Sequence, residues 1–300
     1  IYFKEKSFWR REIFFKYLPA ACWSVTGVAA YLALRLAVLG RAYFLNAETS
    51  LVENPLRFAS AGPRIYTALK ILAMYLKKSF WPFGLCSDYS YNQIPVLPDI
   101  FNSAALAGFL ILIIFVLSWF VFLRRRPILA LASAWFILSF LLVSNLLFPI
   151  GTIAGERLIY YPSVGLSFFL AFLFYHIIAR AEFRKFSCED CLRPVQLAEF
   201  RSRKFTKFSP SLMKLIAVSS FMALVIFYSM MSFLRAGDWL TETRLFASAA
   251  KCAPASVLSR SNLGAEYYLE GDLANAKKEL LLANSIYDGY PKGVNNLGLV

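Results

Sequence analysis

The chain has 300 residues, 59% of them hydrophobic and 17% charged, with 29 phenylalanines and a formal net charge of +14. Soluble domains carry about 45–50% apolar and about 25% charged residues, so this balance excludes an ordinary soluble enzyme and a disordered tail. A membrane protein remains, and its positive charge has to be located along the chain. The one histidine, His176, sits in an apolar run and reads as a helix-end residue. A Ser-His-Asp triad and a multi-histidine metal site are thereby excluded within these residues. The chain starts at Ile1 without Met, ends inside a repeat at Val300, and reads as an internal piece of a longer protein.

In chain order, a basic segment over 1–17 precedes an apolar stretch over 18–39. A span needs about 20 mostly apolar residues. Four later stretches meet that test: 104–123, 128–148, 158–178 and 215–234. The stretch 65–85 is weaker, because Lys70, Lys77 and Lys78 interrupt it. A lysine at mid-bilayer costs about 2.5–3.5 kcal/mol. Three of them predict a helix lying at the interface, its lysines snorkelling to water.

Most of the net charge falls in 1–17, in Arg124–Arg125–Arg126 and in 180–214, while the tail from 235 is balanced. Positive loops stay cytoplasmic. The loops 40–103 and 149–157 and the tail then lie outside, provided that 65–85 does not cross. The basic residues, including the run over 201–207, are explained by topology and lipid headgroups, so no nucleic-acid partner is expected. Five cysteines are scattered: Cys22, Cys86, Cys188, Cys191 and Cys252. Cys188 and Cys191 form a lone CxxC. Zinc needs four ligands, and no second pair accompanies it, so no metal site is expected there.

The tail carries a repeat. Asn262-Leu263-Gly264 recurs as Asn296-Leu297-Gly298, an offset of one tetratricopeptide period. Tyr267 then falls on the aromatic position, and Ala276 and Ala283 on the small positions of the second helix. Gly264, Ala276 and Ala283 predict close helix packing; Gly271-Asp272 predicts the turn and an N-cap. One repeat covers about 257–290 and the next begins at 291. Such arrays bind extended peptides or proteins, and Asn262, Tyr267 and Asn296 are the expected contacts.

Two outer clusters carry chemistry-bearing residues. The loop 40–103 holds Glu53-Asn54-Pro55, Arg64, Lys77, Lys78 and Cys86-Ser87-Asp88-Tyr89-Ser90. Asp88 and Glu53 suit a base or a divalent metal ligand, and the lysines suit phosphate. The same residues also suit a loop that caps and anchors helices. The second cluster is Gly155-Glu156-Arg157, followed by Tyr160-Tyr161-Pro162-Ser163. An adjacent acid and base at the mouth of a span is costly unless paired or used. Arg157 suits phosphate, Glu156 suits a base, and Tyr161 lies beside them. A salt-bridged helix start with an interfacial tyrosine pair is the alternative.

These landmarks, in this order, resemble the transmembrane and tetratricopeptide-repeat O-mannosyltransferase family. The likeness rests on Glu53–Pro55, Arg64, Trp81-Pro82, Leu85–Ser90, Ile94-Pro95, Gly155–Arg157, Tyr161–Gly165, Asp238-Trp239, Leu245-Phe246 and Pro254. Glu53 stands where the family usually has Asp, and Tyr89 where it usually has Trp. The resemblance implies a C-type glycosyltransferase that moves a sugar from a dolichyl- or polyprenyl-phosphate mannose to a protein Ser/Thr hydroxyl. The acceptor protein would bind the repeats, on the lumenal side of the endoplasmic reticulum membrane or the outer side of a bacterial plasma membrane. It also implies that the acidic catalytic motif lies in an earlier outer loop, upstream of Ile1. A membrane-anchored, non-catalytic scaffold for protein assembly is the alternative. The expected architecture is all-α: a membrane domain over 1–240, with about five spans and one interfacial helix in a polytopic bundle, then tetratricopeptide repeats over 241–300.

Overall fold

A computed structural model describes residues 11–45, 50–189 and 210–300. Residues 1–10, Cys191 and the rest of the basic segment 190–209 lie outside them, as do the side chains of His176 and Cys188. The described residues form helices, turns and loops without a strand. In chain order the helices are α1 (Arg11–Leu45), α2 (Ala61–Phe80), α3 (Ser103–Arg125), α4 (Pro127–Val143), α5 (Tyr160–Glu189) and α6 (Pro210–Ala236). Then come α7 (Glu242–Cys252), α8 (Val257–Leu269), α9 (Leu273–Ile286) and α10 (Pro291–Leu299).

Helix boundaries follow local chemistry. Asn102 caps α3, its side chain accepting from the amides of Ala104 and Ala105. Arg124 and Arg125 occupy the last turn of α3, where cations offset the helix dipole. Pro127 then starts α4 at a first-turn position that needs no amide donor. Ser118 and Ser133 hydroxyls meet at 2.7 Å across this α3–α4 hairpin. The rings of Phe115 and Phe136 stack with centroids 4.0 Å apart.

Two glycines set the closest helix crossings. A Cβ added at Gly108 would stand 1.9 Å from the Leu69 carbonyl oxygen, so α2 and α3 touch backbone to backbone. At Gly165 an added Cβ would stand 2.6 Å from the Ala132 oxygen, which brings α5 against α4. The core between these helices buries Ile71, Leu72, Tyr75, Phe136 and Phe140.

Of the five stretches expected to span, two helices are long and apolar enough among the described residues: Ser103–Arg125 and Leu215–Trp239. Cys22–Val38 and Pro127–Val143 are apolar but shorter. The stretch expected over 128–148 is helical only to Val143. Asn145 breaks it with a left-handed φ of 59°, a conformation asparagine tolerates better than bulkier residues. Its side chain then donates to the carbonyls of Thr152 and Ile153 and accepts from the Ile150 amide. Residues 144–155 fold back as irregular chain, and the next helix starts at Tyr160 rather than 158.

In the tail, α8 and α9 meet through small residues. Gly264 of α8 faces α9 so closely that an added Cβ would meet Leu280 Cγ at 2.6 Å. Ala276, Leu280 and Ala283 are buried in that contact. Gly271 turns the chain with φ 83°, and Asp272 caps α9 by accepting from the Asn275 amide. Arg260 and Glu279 join the two helices at 2.7 Å.

Replacing Gly108 by Ala is expected to destabilise the protein by at least about 1–3 kcal/mol, because a backbone carbonyl cannot move aside for a methyl group. Gly151, whose Cβ position is open, is expected to accept Ala without loss. Thermal unfolding of both variants in detergent checks the contrast.

Candidate active site

The loop after α2 folds back toward the helix entry and the tail. The Tyr91 amide donates to the Val52 carbonyl at 2.8 Å, and the Asn92 amide to Ala255 at 2.8 Å. The Val257 amide donates to Tyr91 at 2.7 Å. A disulfide joins Cys86 of this loop to Cys252 at the end of α7. Val52, Val257, Ala283 and Tyr290 are buried together in a separate apolar cluster.

Asp88 belongs to this seam. Its Oδ2 accepts from the Ser90 amide (3.2 Å) and from the hydroxyls of Ser90 (2.7 Å), Ser256 (2.6 Å) and Ser259 (3.0 Å). All three serines are buried. Asp88 thus anchors the start of α8, with one oxygen fully committed. Glu53 is also turned inward on its own chain, its carboxylate accepting from the Ser50 amide at 3.0 Å. Asn54 is fully buried and donates to Asn145 Oδ1 and the Ile150 carbonyl. Neither acid stands with two further ligands, and no group of three His, Cys, Asp or Glu gathers as a metal site among the described residues. The donor set does not fit a divalent metal here, and no step is assigned to one.

Glu156 is the centre of a different cluster. It begins a 3-10 turn, Glu156–Ile159, just before α5. Its Oε1 accepts from Lys78 Nζ (3.1 Å), the Cys86 amide (2.7 Å) and the Tyr89 hydroxyl (2.7 Å). Lys78 also donates to the Gly84 carbonyl and lies 5.2 Å from the Tyr89 ring centre. The Tyr75 hydroxyl accepts from the Gly155 amide at 2.9 Å. Burial, then the Glu156 charge and hydrogen bond, push the Tyr89 phenol well above its ordinary pKa, so it remains a proton donor at neutral pH. Burial above all does the same for Tyr75.

Lys78 therefore does not reach to water as the sequence suggested; a partner 78 residues away holds it, with only 18% of the side chain exposed. Lys77 is exposed on the adjoining face of α2. Arg157 is exposed beside Glu156 and makes no ion pair among the described residues. Tyr161 is exposed, and its carbonyl accepts from Trp135 Nε1 at 2.8 Å. Arg64 is not brought to this group. It lies fourteen residues earlier on α2 than Lys78, about 20 Å along the axis. Its Nε is buried without a hydrogen-bond partner among the described residues. Asn262 and Tyr267 on α8 and Asn296 on α10 are half-exposed.

Sequence reasoning singled out Glu156 and Lys78 but not their bond, and it missed Tyr75, Asn145 and the serine triplet. The spacing Ser256-x-x-Ser259 was a usable signal, since Ser256 also caps α8. Tyr89 stood out only as a departure from the family's Trp. Both residues carry a single ring-borne donor, and here that donor meets Glu156.

Two of the described helices are long and apolar enough to cross a membrane, which is consistent with a helical membrane protein. Comparison with known proteins narrows the class. The chain is 26% identical over 229 residues to the human "Protein O-mannosyl-transferase TMTC4", covering 71% of this chain and 26% of that protein. It is 24% identical over 248 residues to Drosophila melanogaster "Protein O-mannosyl-transferase Tmtc3", covering 80% and 24%. It is 25% identical over 234 residues to Caenorhabditis elegans "Protein O-mannosyl-transferase F38B6.6", covering 77% and 28%. The chain is thus a relative of the TMTC protein O-mannosyl-transferases, spanning about a quarter of the length of those it matches. No family model matches it, and no solved structure does.

Asp88→Ala is expected to cost about 1–3 kcal/mol, because it leaves three buried hydroxyls without their shared acceptor. Thermal unfolding with the disulfide intact measures it. An unchanged midpoint would contradict the anchoring role.

Proposed function

We propose that the chain is part of a membrane glycosyltransferase. It moves a sugar, mannose by analogy with its relatives' names, from a polyprenyl-phosphate carrier to protein Ser/Thr hydroxyls. The observation that carries this reading is the Glu156 cluster, found in a chain related to proteins named as O-mannosyl-transferases. Glu156 has one oxygen held by three donors, which fixes the carboxylate in place. Its Oε2 has no partner among the described residues.

In the reaction, a carboxylate takes the proton of the acceptor hydroxyl, whose oxygen attacks the anomeric carbon. The bond from that carbon to the carrier phosphate breaks, and the phosphate leaves with the electron pair. Glu156 Oε2 is the free carboxylate oxygen in this cluster for the acceptor hydroxyl. Arg157 is the exposed cation beside it for the leaving phosphate.

The reading includes a side of the membrane. The 50–103 loop and the tail share a disulfide and two backbone hydrogen bonds, which supports their lying on one face. Disulfides persist in oxidising compartments, which supports the non-cytoplasmic face, opposite the basic segments. Return of the chain after α2 supports a helix that does not cross. The Glu53 carbonyl accepts from Ile153, and Glu156 accepts from Cys86. Three residues reach about 10 Å, whereas the 20-residue α2 is about 30 Å long. The close α8–α9 hairpin and the following α10 support a tetratricopeptide array that binds the acceptor protein.

Glu156→Gln and Arg157→Ala in the full-length protein are each expected to lower transfer from polyprenyl-phosphate mannose about 100-fold or more. Radiolabelled sugar incorporation measures it. Wild-type turnover in both would overturn the roles of Glu156 and Arg157, and absence of transfer by the unaltered protein would favour a membrane-anchored scaffold.

A further inference from the structure

A second site adjoins the 84–86 loop segment that donates to Glu156. Pro82, Gly84 and Leu85 face the end of α6 and the end of α7 across a cleft of about 440 Å³. Met231 and Leu234 of α6 supply its apolar wall; Arg235, Asp238, Ser248 and Lys251 supply its polar end. The cleft therefore has two chemically distinct halves.

The polar half is net cationic. Asp238 is already engaged: its Oδ2 accepts from Arg235 Nη1 and from the Ser248 hydroxyl at 3.0 Å. Arg235 Nη1 also meets Ser248 at 2.7 Å. Both side-chain bonds of Arg235 leave from Nη1, so the Nε–Nη2 edge has no partner among the described residues. That edge is the part of a guanidinium that matches two oxygens of a phosphate. Arg235 is held in position, with 17% of its side chain exposed. Lys251 is exposed at the rim as a second positive charge.

The apolar half continues onto the surface of α6, where Met230, Phe233 and Leu234 are exposed at 61%, 81% and 58%. That surface belongs to a helix long and apolar enough to span. Trp81 and Phe83 are exposed beside the cleft, as aromatics are at a membrane–water boundary. A ligand that fits both halves carries a phosphate for the guanidinium edge and an apolar chain for the helix surface.

We propose that this cleft binds the phosphate of a membrane lipid between Arg235 and Lys251, with the lipid chain running along Met231 and Leu234. The site is separate from Glu156 and Arg157, and sugar transfer is not needed for it. It adjoins them, because Gly84 lines the cleft and its carbonyl receives Lys78, while the Arg235 charge reaches Tyr89. An occupied cleft would brace the loop that holds Glu156.

The test is lipid retention by the full chain, read by native mass spectrometry after release from nanodiscs of phosphatidylcholine mixed with phosphatidylglycerol or with polyprenyl phosphate. The expected result is several-fold preferential retention of an anionic lipid over phosphatidylcholine. Preference for polyprenyl phosphate assigns the cleft to an isoprenoid carrier, and preference for phosphatidylglycerol to a bilayer lipid. Lys251→Gln is expected to reduce the preference about 3-fold or more, and Met231→Trp, which fills the apolar half, to abolish it. Both variants spare Arg235 and its Asp238 contact. Equal retention of charged and zwitterionic lipids, or an unaltered preference in both variants, would overturn the proposal. Displacement of the lipid by millimolar inorganic phosphate would overturn its apolar half.

Discussion

The seam between the 84–97 loop and the first tail helices is the constraint on which the rest depends. Long apolar helices and the helical hairpin that follows them have no intrinsic reason to hold a fixed angle. Here the Cys86–Cys252 bond closes a sequence separation of 166 residues. In a chain-entropy picture such a closure restricts the unfolded chain by about 5 kcal/mol. Beside it, the half-buried Asp88 carboxylate is stabilised by the hydroxyls of Ser90, Ser256 and Ser259, which donate to it. The backbone bonds of Tyr91, Asn92 and Val257 complete the join. The tail is thus a rigid continuation of the loop rather than a tethered appendage.

From that join the chemistry of the Glu156 cluster follows. The loop residue that forms the disulfide also donates its amide to Glu156, so one residue serves both the seam and the site. Lys78, Tyr89 and the Cys86 amide converge on a single oxygen, which lets a charged pair sit three-quarters buried. Asn54 and Asn145 perform the neutral counterpart at the entry to α2. They satisfy irregular backbone that α4 leaves behind when it stops at Val143.

The legible parts of the fold were those written in local patterns. The α8–α9 hairpin was readable from Gly264, Gly271 and Asp272, because close approach, a left-handed turn and a cap each demand a residue type at one place. The α3–α4 turn was marked by three arginines and a proline. What was not legible depended on distant partners. Five cysteines allow many pairings, and nothing local ties Cys86 to Cys252. Lys78 read as snorkelling because Glu156 is remote in sequence. Asp88 and Glu53 read as chemistry because their serine partners could not be seen. Asn145 was hidden inside an apolar run, where its left-handed backbone ended a helix that composition alone would have continued.

The most direct test of the account is peptide mapping of the non-reduced full-length protein by mass spectrometry, with free thiols alkylated first. Cys86 and Cys252 are expected in a linked peptide pair, and Cys22 in alkylated form. Alkylation of both Cys86 and Cys252, or pairing of either with another cysteine, would contradict the seam and the site built on it.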